Sequence, residues 1–61
     1  MFRKYYHFEG IQDCGRIFHF YPKKMTRKEA KIHAKYLIGQ YSCSLVEYYT
    51  MGKTMREKRS T

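Results

Sequence analysis

The chain has no tryptophan, one proline, two cysteines and only five acidic residues. Each scarcity excludes something. Cys14 and Cys43 form neither a CxxC pair nor a dense framework, so the pattern predicts neither a disulfide-stapled secreted fold nor a thiolate metal centre. Both are read as reduced thiols of a cytoplasmic protein. The five carboxylates are scattered singly and offer no pair for general acid–base chemistry. No glycine-rich phosphate loop and no nucleophile elbow is present. No apolar run approaches the length of a membrane span, and Met1 leads into Phe-Arg-Lys-Tyr-Tyr with no apolar leader, so neither membrane insertion nor a signal peptide is expected.

What is present is basic and aromatic. The 61 residues hold thirteen Lys and Arg, for a formal net charge of +8, with seven Tyr and four Phe. Such a charge favours acidic partners: nucleic acid or an acidic protein surface. A domain this small buries only about 60% of the surface its unfolded chain exposes. A buried catalytic cleft with its own supporting side chains is hard to build at that size. The expectation is therefore a non-enzymatic protein without cofactor or metal.

Residues 2–9 and 16–21 are aromatic-rich and read as strands, joined through the turn signal Asp13-Cys14-Gly15 as a β-hairpin. With Gln12-Asp13-Cys14 as the loop, Phe8 faces Phe18, His7 faces His19, Tyr6 faces Phe20 and Tyr5 faces Tyr21. Alternation then puts Phe2, Lys4, Tyr6, Phe8, Arg16, Phe18 and Phe20 on a core face. Arg3, Tyr5, His7, Ile17, His19 and Tyr21 fall on the other. Pro22 ends the second strand. Thr26-Arg27-Lys28-Glu29 is a capping box with Met25 and Ala30 at the staple positions, opening a helix to Ile38 that stops at Gly39. Ala30, Ala34, Leu37 and Tyr41 line its inner side. Residues 43–50 form a third strand.

These elements predict an α+β fold: a β-β-α-β domain over residues 1–51 with a three-stranded antiparallel sheet, order 2-1-3, and one helix on one face. Residues 52–61 read as a basic flexible tail.

One helix covers one face of such a sheet, which leaves the other face open. Arg3, Tyr5, His7, His19 and Tyr21 lie on it, joined by either the Leu45–Glu47–Tyr49 or the Val46–Tyr48 set of the third strand. Aromatics interleaved with cations suit stacked bases and phosphates. They suit a protein contact or a homodimer through the same face equally well. Lys28, Lys31 and Lys35 stripe the outer side of the helix, and Lys53 and Arg56 lie in the tail. These are candidate phosphate contacts, although an outward helix face is commonly charged for solvation alone. Ile32 and Tyr36 make an apolar i,i+4 pair that either meets a partner or is covered by sheet curvature or the C-terminal segment. His7, His19 and Cys14 match no zinc spacing and lack a fourth ligand. The leading expectation is a small nucleic-acid-binding module. The alternative is a protein-binding module, such as a phage- or virus-encoded regulator of a larger host protein.

Overall fold

The computed structural model describes residues 2–59. Strand β1, Lys4–Gln12, buries Tyr6, Phe8 and Gly10 on one side and exposes Tyr5 and His7 on the other. It is followed by β2 (Ile17–Met25), helix α1 (Arg27–Tyr41), β3 (Cys43–Thr50) and β4 (Lys53–Lys58). The strands form one antiparallel sheet in the order β2-β1-β3-β4, and α1 packs over β1 and β3 and reaches β4. The fold is thus α+β with one helix against an antiparallel sheet, as the sequence predicts. The sheet has four strands, not three.

The fourth strand comes from the segment read as a basic tail, of which Ser60 and Thr61 lie outside the described residues. Met51 and Gly52 make a two-residue loop with φ of 42° and 84°, and Thr50 faces Lys53 across it. Positive φ at both central positions gives a turn whose twist matches paired strands. Methionine is an unusual residue there, which hides the signal. Met55 packs against the core and supplies the apolar anchor for an otherwise polar strand.

The first hairpin is displaced by two residues from the expected pairing. Phe8 faces Phe20, Glu9 faces His19 and Gly10 faces Phe18. The loop lies one residue later than predicted, at Asp13-Cys14-Gly15: the Gln12 amide donates to the Arg16 carbonyl at 2.8 Å, and the Gly15 amide to the Gln12 carbonyl at 2.9 Å. An even shift keeps each side chain on its face, so the inner and outer sets survive. Phe2, Arg3 and Arg16 are exceptions, since they precede their strands: Phe2 is 90% exposed, Arg16 is exposed, and Arg3 lines a cleft beside the helix rather than the open face. Pro22 does not end β2. The pairs Tyr6–Lys23 and Phe8–Phe20 leave Tyr21 and Pro22 together opposite His7, as a bulge. A bulge on an edge strand tolerates a residue without an N–H, and pairing resumes at Lys23.

The capping box of α1 is formed. Thr26 Oγ1 accepts the Glu29 amide at 3.2 Å, and Glu29 Oε1 accepts the Thr26 amide at 2.9 Å. That backbone hydrogen bond holds the Glu29 carboxyl below its ordinary pKa. Thr26→Ala is expected to cost about 1 kcal/mol, read as a lowered urea midpoint. An unmoved midpoint would show that the cap contributes nothing to stability. The helix runs past Gly39 to Tyr41, whose ring packs on Phe20 at 5.1 Å and Phe18 at 6.0 Å, and Ser42 takes the left-handed stop with φ 53°. Ala30 and Ala34 are fully buried, and with no long side chain between them the helix lies close over Phe8 and Val46. Cys43 is buried and Cys14 exposed, both as free thiols.

Tyr48, which shares the core with Tyr6, donates its hydroxyl to Glu57 Oε2 at 3.2 Å. Burial first, then the Glu57 charge and hydrogen bond, push its pKa from the usual 10.0 up to about 12. The folded state therefore keeps the phenol proton that the unfolded chain releases. This contribution is complete below the unfolded value and is lost as pH rises through the folded one. In thermal melts, wild type should lose stability between pH 10 and pH 12 more steeply than Tyr48→Phe does. Parallel curves would disprove the linkage.

Candidate functional site

The register of all four strands sorts the open face into three rows that cross the sheet. One row is apolar, with Ile17, Ile11 and Leu45 ending in Lys58. The next is charged, running His19, Glu9, Glu47 and Arg56. The third is aromatic: Tyr21 in the bulge of β2, His7 on β1 and Tyr49 on β3, ending in Thr54. Tyr5 extends the aromatic row along β1, opposite Lys24. β3 thus contributes its Leu45–Glu47–Tyr49 set. Tyr48 belongs to the core and is 3% exposed.

The His7 and Tyr49 rings are parallel, with centroids 5.1 Å apart and planes 11° apart. Both stand on the two central strands, so the sheet itself sets their spacing. Tyr5 is 61% exposed and Tyr21 90% exposed. A rigid, half-open aromatic step of this kind offers flat apolar area at small entropic cost.

The charged row has its own balance. Glu9 and Glu47 are direct cross-strand neighbours, and like charges so placed repel. His19 Nδ1 lies 3.1 Å from Glu9 Oε2, and Arg56 Nε donates to Glu47 Oε2 at 2.6 Å. Each carboxylate is thus offset by a group on the flanking strand. These pairs are solvent-exposed and worth little in stability. Their effect is to place two acids at the centre of a face on a strongly basic protein.

Elsewhere the acids are equally engaged: Asp13 pairs with Arg59 at 3.0 Å, Glu29 caps the helix and Glu57 holds the Tyr48 hydroxyl. Among the described residues, Arg56 and Arg59 are the cations in Lys or Arg ion pairs, and the positive excess resides on the rest. Lys28, Lys31 and Lys35 are exposed on α1, opposite the aromatic row. Arg27, Lys28 and Lys31 line a groove of about 600 Å³ against β4, and Lys35 a smaller one with Lys58 and Arg59. Lys53 lies at the far end of that side, beside Lys4 and Arg27.

The structure therefore brings Tyr5, His7 and Tyr21 together on the open face, with His19 two positions from Tyr21 on β2. Arg3 is exposed just before β1. Arg56 joins the face from β4, and Lys28, Lys31 and Lys35 stand apart on the opposite layer. His7 and His19 are not cross-strand neighbours: His7 faces Tyr49 and His19 faces Glu9. Among the described residues no group of three or more His, Cys, Asp or Glu is placed to hold a metal ion. The members on β1 that the sequence reading leaves out of the face are Glu9 and Ile11. Continuing the two-residue alternation from His7 finds both. Among the described residues no helix is long and apolar enough to cross a membrane. Comparison with known proteins finds no matching family model, no matching curated protein and no matching solved structure.

Proposed function

We propose that the protein is a non-enzymatic nucleic-acid-binding module that takes single strands on its open sheet face. The observation that carries this reading is the parallel His7–Tyr49 pair on the two central strands, flanked by Tyr5 and Tyr21. A sheet that reads single strands needs stacking side chains on its central strands, where bases can be splayed against them. Bases continue the stack along the aromatic row, and phosphates meet cations at the rim, among them Arg56 and Lys58. The net charge of +8 supplies long-range attraction for any polyanion.

The apolar row of Ile17, Ile11 and Leu45 favours a second reading, in which the face docks a protein. A second copy laid symmetrically on the face would bring carboxylate against carboxylate at its centre, so the protein partner of that reading is a different chain.

The two glutamates separate the readings. With nucleic acid on the open face, Glu9→Gln combined with Glu47→Gln removes two repelling charges and should tighten binding of a labelled single-stranded oligonucleotide several-fold. Its affinity should fall steeply between two salt concentrations, with a log–log slope of about −0.7 per phosphate neutralised. Unchanged affinity in the glutamate variant would take the strand off this face.

A further inference from the structure

The order β2-β1-β3-β4 sets β4 at the edge remote from β2, so neither the C-terminal strand nor sheet curvature covers Ile32 and Tyr36. These are 63% and 57% exposed, one turn apart on α1. Because α1 packs toward β3 and β4, a cleft of about 540 Å³ opens between its other side and the end of β2. Met25, Ile32 and Tyr36 give it an apolar lining, and Arg3 and Lys24 stand at its rim. An adjoining hollow of about 480 Å³ shares Arg3 and Ile32 and adds Lys28. The Lys23 charge reaches the same place, since after desolvation it is what holds the His33 imidazole below its ordinary pKa. The one carboxylate in the cleft, Glu29, is tied into the capping box.

An apolar cleft whose rim cations outnumber its one carboxylate, Glu29, fits one chemistry. We propose that this cleft is a second binding site, distinct from the open sheet face, for an acidic peptide segment of a partner protein. The segment inserts a large aliphatic or aromatic side chain between Ile32, Tyr36 and Met25. Carboxylates on either side of that anchor meet Arg3, Lys24 and Lys28. A nucleic acid is the poorer occupant. Ile32 and Met25 are aliphatic rather than flat, and the Tyr36 ring already stacks on His33, with centroids 5.9 Å apart and planes 21° apart. The arrangement follows the anchor-and-rim pattern of peptide recognition, in which a buried apolar residue carries affinity and charge carries selectivity and encounter rate.

The probe is a fluorescent twelve-residue peptide of Asp and Glu carrying one Leu and one Phe four positions apart. Its control has both replaced by Ala. The anchored peptide should bind at least about tenfold more tightly than the control, since burying one large apolar side chain supplies that much. Ile32→Ser with Tyr36→Ser should lose that advantage while leaving oligonucleotide binding and the melting midpoint unchanged. Arg3→Gln with Lys24→Gln should weaken the peptide and flatten its salt dependence. Amide shifts in the wild-type protein should centre on Met25, Ile32 and Tyr36, a readout that needs no variant. The proposal is overturned by no measurable peptide binding, by equal binding of the control, or by shifts centred on the open sheet. Competition by anionic vesicles that abolishes the peptide signal would assign the cleft to a lipid surface and overturn it as well.

Discussion

Gly10→Val should remove a large fraction of the protein's folding stability. Gly10 is buried in the middle of β1, paired with Phe18 on one side and Val46 on the other. A Cβ there would stand 2.7 Å from Cys43 Sγ and 3.2 Å from the Phe20 ring. Cys43 is fully buried, so its side chain has nowhere to withdraw. Overpacking of this kind costs about 1–3 kcal/mol for modest insertions and more where neighbours are fixed. A branched residue gains strand propensity, but the whole scale spans only about 1 kcal/mol. A chain of this length has a total stability of roughly 3–9 kcal/mol at 0.05–0.15 kcal/mol per residue. The clash is therefore a large fraction of what holds the fold. Gly10→Ala should be milder, and Cys43→Ala in that background should recover part of the loss, because the sulfur is the nearest atom. Urea titration of wild type, Gly10→Ala, Cys43→Ala and the double variant gives the coupling directly. Native-like stability of Gly10→Val would mean that Cys43 and Phe20 do not close over Gly10 as described.

Tyr5→Ala with Tyr21→Ala should weaken single-stranded binding by roughly thirtyfold or more, since each stacking side chain is worth about 1–3 kcal/mol. Lys31→Ala with Lys35→Ala should do less. The two pairs stand on opposite layers of the molecule, so one short strand reaches both only by wrapping around an edge. Fixing a lysine also costs rotamer entropy that a tyrosine on a flat sheet does not lose. If the lysines contact phosphate, their loss should chiefly lower the salt slope, by about one or two units. Titrations of a labelled oligonucleotide at two salt concentrations separate the outcomes. Binding abolished by the lysine pair and untouched by the tyrosine pair would move the site to the α1–β4 groove. For a protein partner, the tyrosine pair should abolish the complex while the salt dependence stays shallow.

Much of the open face is legible in the chain because strand side chains alternate. Tyr5, His7, Ile17, His19 and Tyr21 share a face whether Phe8 pairs with Phe18 or with Phe20, since the two registers differ by an even number. What alternation does not give is the cross-strand neighbour. The sequence reading pairs His7 with His19, and only the later position of the loop, after Gln12, sets His19 against Glu9. The choice between the two sets of β3 was equally open, because Val46–Tyr48 and Leu45–Glu47–Tyr49 are both mixed in polarity. It is decided by where the apolar side of α1 lies, and that side claims Val46 and Tyr48. Met51-Gly52 was hidden for a different reason: a residue with a side chain occupies a positive-φ position that asparagine, aspartate or glycine usually marks.

By itself the sequence determined the helix start, the hairpin, the α+β class, the basic excess and the membership of the inner and outer faces. All of these rest on interactions within a few residues: a capping box, a turn signal and a period of two or 3.6. The tertiary structure alone decided that four strands pair rather than three, that Glu9 meets Glu47 at the centre of the face, and that Ile32 and Tyr36 remain uncovered. Each of these depends on which strand lies beside which. That is settled by how Met55, Tyr48, Phe8 and the two alanines of α1 fill one small core, a collective packing that no local period encodes.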